Sequence, residues 1–129
     1  MDIRLEFLVE FMKSPSPILL FGGIHEGVSE VAAEGLRYIF DNGIKDSDEV
    51  VDIICNDYME HYEHRQLEGL CFTVLGARYE GKDVFSGMRI IDKCNFYKDG
   101  TVLYKKDDNP KKGLISVDDY VKRKINESK

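Results

Sequence analysis

Leu70-Cys71-Phe72-Thr73-Val74-Leu75 is the stretch on which the fold turns. It is apolar and rich in residues that favour extended backbone, so it predicts a strand. Upstream of it, residues 28–64 carry helical periodicity. Downstream, further strand-like runs follow. Helices grouped ahead of strands predict an α+β fold, with the helices packed on one face of an antiparallel sheet.

Working upstream, a helix is expected near 47–64. Val51, Ile54, Cys55, Tyr58 and Tyr62 line one face, and Asp46-Ser47-Asp48-Glu49 supplies cap candidates. A second helix is expected near 28–41, where Val28, Val31, Ala32, Leu36, Ile39 and Phe40 form the apolar face. Asn42-Gly43 stops it, because both residues tolerate the left-handed conformation. The short connection makes these two an antiparallel helix hairpin. Pro17 to Phe21 reads as a short strand or buried extended segment. Residues 2–12 fit both periods, and their Leu, Glu, Met and Lys content favours helix. Ser14-Pro15-Ser16-Pro17 then ends that helix.

Downstream, Met88 to Tyr97 and Val102-Leu103-Tyr104 predict two more strands, joined by a hairpin turn at Lys98-Asp99-Gly100. The polar run Lys105 to Gly113 is a loop. Ser116 caps a short C-terminal helix near 117–127. Asp118 and Asp119 sit in its first turn and Lys122, Arg123 and Lys124 near its end, an order that complements the helix dipole. The expected architecture is a single domain over 1–129: N-terminal helices on a small three-stranded β-meander, closed by a short helix.

Composition narrows the function classes. The 129 residues are 43% hydrophobic and 33% charged, which is globular and not disordered. The net charge of −6 is unevenly spread. Residues 1–92 hold 18 acidic and 8 basic side chains, net −10, and residues 93–129 hold 6 and 10, net +4. An acidic bulk argues against a nucleic-acid partner, which needs clustered basic surface. No apolar run approaches the ~18 residues of a membrane span, so no membrane partner is expected. The N-terminus opens acidic, unlike a signal peptide. The three cysteines, Cys55, Cys71 and Cys94, lie in separate apolar runs and read as reduced core thiols of a cytoplasmic protein.

Four constellations are candidates for chemistry. Gly22, Gly23, His25 and Gly27 stand in a loop between a strand-like run and a helix start, the context in which backbone amides cradle an anion. The pattern completes no phosphate-loop motif and Glu26 would repel an anion, so a tight turn is the better account of it. His25-Glu26 lacks the second histidine of a zinc-protease helix, since Ser29 occupies that place. Asp57, Glu60, His61, Glu63 and His64 crowd one region, but the spacing fails the di-iron pattern, so no metal and no cofactor are expected. None of the seven serines lies in a nucleophile-elbow motif, so no catalytic residue is assigned.

The fourth is a polar stripe. Glu49, Asp52, Asn56, Glu60 and Glu63 fall at spacings of three and four along the expected 47–64 helix. Asp46 to Glu68 holds eight acidic residues and one basic residue, Arg65. Like charges one turn apart destabilise a helix, so helix stability does not explain them. A solvated face of an acidic protein would look the same. The functional reading is a surface that steers a basic protein partner. The chain is therefore expected to be a non-enzymatic protein-binding domain, of the kind that serves as an inhibitor, an immunity-type protein or a phage-type antagonist, with a homo-oligomer also open to it. The alternative is a small-ligand or nucleotide binder, either a carrier or an enzyme, built on the 22–27 loop.

Overall fold

The computed structural model describes residues 26–44, 47–106 and 112–127. The expected helix at 2–12, the Ser-Pro loop and the run at 17–21 lie outside these residues, as does the middle of the 105–113 loop.

Helix α1 spans Glu26–Asn42. Ala32, Leu36, Ile39 and Phe40 point into the core at helical spacing. It stops as expected. Gly43 takes φ 59°, its N–H bonds the Ile39 carbonyl at 2.9 Å, and the Asn42 side-chain amide donates to Tyr38 O at 2.9 Å.

The expected helix at 47–64 is not continuous. Helix α2 covers Ser47–Ile53, a π-turn follows over Ile54–Tyr58, and a 3₁₀ turn over Met59–His61. Tyr62 is extended, with ψ 141°, and breaks the run. The cause is burial. The wider π-turn brings Met59, rather than Tyr58, fully into the core.

Leu70 to Leu75 is helical, which corrects the strand reading. Helix α3 runs over His64–Tyr79 and buries Leu67, Leu70, Cys71, Val74 and Ala77. That is helical spacing, and it outweighs the β propensity of the individual residues. The helix starts with a capping box in which the Gln66 side chain accepts the Glu63 N–H at 2.7 Å. Thr73 donates its hydroxyl to the Gly69 carbonyl at 3.0 Å, the back-bond by which a mid-helix threonine satisfies its polar group. α3 packs against α1 on one side and against the hairpin strand Val102–Tyr104 on another.

The expected strand at 88–97 is divided. Met88–Asp92 forms a short helix, α4, and only Cys94–Tyr97 is strand β1. β1 pairs antiparallel with β2, Val102–Tyr104, in the register Asn95 to Leu103. The third strand, β3, is Leu114–Ile115, which no strand signal marked; it pairs with β1 on the side away from β2, so the antiparallel sheet has the order β2-β1-β3 and is not the expected meander. Gly100 makes the β1–β2 turn at φ 89°, with the Thr101 N–H on the Asp99 carboxylate at 3.0 Å. Helix α5 spans Val117–Glu127, and Ser116 Oγ accepts the Asp119 N–H at 3.1 Å as its N-cap. Tyr120 docks it on Phe96, ring centroids 4.8 Å apart. The fold is thus α+β: helices first, a three-stranded antiparallel sheet, and a short C-terminal helix.

Candidate partner-binding face

Helix α2 and the loop between α3 and α4 meet through polar contacts. Ser86 Oγ donates to Asp48 Oδ1 at 2.7 Å and lies 3.2 Å from Ser47 Oγ. One turn on, the Arg89 guanidinium meets Asp52 at 2.6 Å, an ion pair about half exposed on both sides. The loop is fastened from below as well. Val84 is buried, and Gly87 sits so close to Phe40 that an added Cβ would lie 2.6 Å from the ring's Cζ.

Between those two anchors stands Phe85. Its side chain is 86% exposed, and its N–H is held by Asp83 Oδ1 at 3.1 Å. A phenyl ring in water on a fixed loop forfeits the burial free energy that a core position would supply, roughly 1.5–3 kcal/mol. Around it lie the carboxylates of Asp83 and Asp48, with Glu49 and Asp52 further along α2. The surface is an aromatic knob with carboxylates in excess, Arg89 being paired with Asp52 and Lys82 with Asp41 at its edges. Phe85 carries little signal in the sequence: it follows Val84 between Lys82-Asp83 and Ser86-Gly87, and nothing local says which of the two apolar residues is buried.

The five stripe residues do not share one helix. Glu49 and Asp52 are on α2, Asn56 is in the π-turn, Glu60 is in the 3₁₀ turn and Glu63 is the N-cap of α3. Glu60 pairs with His61 at 3.3 Å. Glu63 lines a separate cleft of about 270 Å³ with Glu30, Arg65 and Gln66. Of the glycine-loop residues, Gly22, Gly23 and His25 lie outside the described residues, and Gly27 lies in the first turn of α1.

His64 has a structural task. Its Nδ1 accepts the Val102 N–H at 3.2 Å and its Nε2 lies 3.5 Å from Glu68, so it ties α3 to β2. Among the described residues, no three His, Cys, Asp or Glu side chains converge to hold a metal ion, and no helix is long and apolar enough to cross a membrane. The three cysteines are free and buried. The Cys71 Sγ lies 3.8 Å from Cys94 Sγ; that contact and burial raise the Cys71 thiol well above its usual range. Burial likewise raises Cys55.

No protein-family model matches the chain, and comparisons with curated proteins and with solved structures return no significant match.

Proposed function

We propose that this chain is a non-catalytic protein-binding domain that engages a basic partner through the acidic face around α2, in the manner of an inhibitor or antagonist. The observation that carries the reading is Phe85, 86% exposed on a loop bonded to Asp48. Binding energy at protein interfaces concentrates in aromatic anchors, and surrounding charges steer encounter. A preformed loop reduces the ordering cost of association. Glu49 and Asp52 extend this face; Asn56, Glu60 and Glu63 continue it only around the register change. We place the activity in the cytoplasm, which the three free thiols support.

The test is capture from a lysate of the native host with immobilised protein, read by mass spectrometry. A basic protein should be retained at low salt, released by high salt, and lost with Phe85→Ala. Capture that Phe85→Ala and salt leave unchanged would refute the assignment of this face.

A further inference from the structure

Opposite in character to the Phe85 face is a groove between α3 and α5. Phe72, Gly76 and Tyr79 follow one another along α3 at spacings of four and three, and Val121 and Ile125 face them from α5. The groove has a volume of about 180 Å³ and is mostly apolar. Phe72 is 40% and Tyr79 78% exposed, so large rings stand in water here too. Its floor is open, since a Cβ built on Gly76 meets nothing within 4 Å. A mid-helix glycine weakens a helix, and here no neighbour requires the missing side chain.

The rim is basic. Lys124 Nζ lies 5.4 Å from the Phe72 ring centroid and 5.5 Å from that of Tyr120. Past Tyr79, the groove continues between Arg78 and Lys122. Asp118 and Glu127 offset part of this charge, Glu127 by a 3.7 Å pair with Lys124. Within α5 the charges balance, Asp118, Asp119 and Glu127 against Lys122, Arg123 and Lys124, so the positive edge of the groove is local, made by Lys124, Lys122 and Arg78. One surface is an aromatic knob among carboxylates; the other is an apolar hole edged by Arg and Lys.

We propose that the chain associates with a second copy of itself, the Phe85 knob and its flanking carboxylates on one copy seating in the α3–α5 groove of the other. Charge complementarity selects this occupant. Exposed apolar rings on both surfaces supply the contact, and the groove is open enough to admit a phenyl ring. The two patches differ, so the contact is heterologous. It is salt-dependent, because the screening length falls from about 10 Å at 0.1 M to about 3 Å at 1 M. The inference goes beyond the partner reading. A basic partner and a second copy would compete for the same Phe85 face.

Sedimentation of the full chain at sub-millimolar protein tests it, with Phe85→Ser and Gly76→Glu prepared separately. Gly76→Glu fills the groove and repels the acidic face while pointing into open space, and circular dichroism checks that it folds. Ile125→Glu serves as a second groove variant. At low salt the wild type should sediment above the monomer mass, and at high salt as a monomer. Each variant alone should be monomeric at low salt. An equimolar mixture of Phe85→Ser with Gly76→Glu should associate again, since one copy retains the groove and the other the knob. A monomeric wild type at low salt, variants that associate alone, or a mixture that stays monomeric would overturn the proposal. The partner reading fails separately: Gly76→Glu leaves the Phe85 face intact and should still capture the basic host protein.

Discussion

Two glycine-to-alanine substitutions should shift stability in opposite directions, Gly87→Ala downward and Gly76→Ala upward. Both remove the same backbone freedom from the unfolded chain, a gain of roughly 0.4–1 kcal/mol. Gly87 has φ −65° and ψ −24°, which alanine adopts without strain, so its cost is purely steric. The new Cβ would lie 2.6 Å from Phe40 Cζ and 3.2 Å from both Phe40 Cε1 and Val74 Cγ2. Carbon atoms prefer about 3.5–4.0 Å, so the closest contact must open by about 1 Å. Phe40 is 5% exposed and Val74 fully buried, so neither can swing into solvent. Overpacking of this kind costs about 1–3 kcal/mol. The net loss is about 1–2 kcal/mol. At roughly 4 °C per kcal/mol for a chain of this size, Tm should fall by about 4–8 °C. Gly76→Ala meets nothing within 4 Å and improves helix propensity, so it should gain about 0.5–1 kcal/mol, or about 2–4 °C. Calorimetry or thermal circular dichroism at fixed pH reads both. Shifts of the same sign would refute the packing of the α3–α4 loop against Phe40, and with it the claim that Phe85 rides on a fastened loop.

His64→Ala should cost about 1–3 kcal/mol by leaving the buried Val102 amide without its acceptor; an unchanged midpoint in urea would show that this bond contributes nothing. Cys55, Cys71 and Cys94 should label slowly with thiol reagents in the native state and rapidly on unfolding, and fast native labelling would contradict their burial. A thiol raised on folding binds its proton more tightly in the native state, so its contribution is fully present below the unfolded pKa of ~8.5 and is lost as pH rises further. Tm should therefore decline above about pH 8.5, and Cys71→Ala should flatten the decline; parallel pH profiles would exclude this thiol as the cause. Changing Glu49, Asp52, Glu60 and Glu63 together to Gln should leave the fold intact, because exposed pairs such as Asp52–Arg89 contribute at most ~1 kcal/mol. Binding to a captured partner should slow, most at low salt; unchanged association kinetics would show that these charges do not steer.

The elements legible in the sequence are those whose signal is local. α1 ends at Gly43 because a positive φ is needed there, and α5 begins at Val117 because Ser116 caps it; each depends on neighbours a few residues away. The hairpin turn at Gly100 is of the same kind. Leu70 to Leu75 went astray because propensity was read over six residues, whereas Leu67, Leu70, Cys71, Val74 and Ala77 declare a helix over eleven. The capping pair Glu63 and Gln66 was also in plain view and marks where that helix starts. Of the candidate face, the acidic excess between Asp46 and Glu68 was visible from composition alone.

The α+β class, the C-terminal helix, the placement of the cysteines in apolar surroundings and the acidic character of the α2 region are all legible in the residues alone. Where the expected 47–64 helix changes register is set by packing, since the π-turn keeps its own Ile54 and Cys55 in the core while bringing in Met59 beyond it. The tertiary structure alone joined Ser86 to Asp48, 38 residues apart, and so set Phe85 beside the carboxylates. It also placed Phe72 and Tyr79 opposite Val121 and Ile125. Periodicity records which side of an element is apolar, but contacts between distant segments depend on how whole elements pack, and that is settled by the joint burial of many side chains.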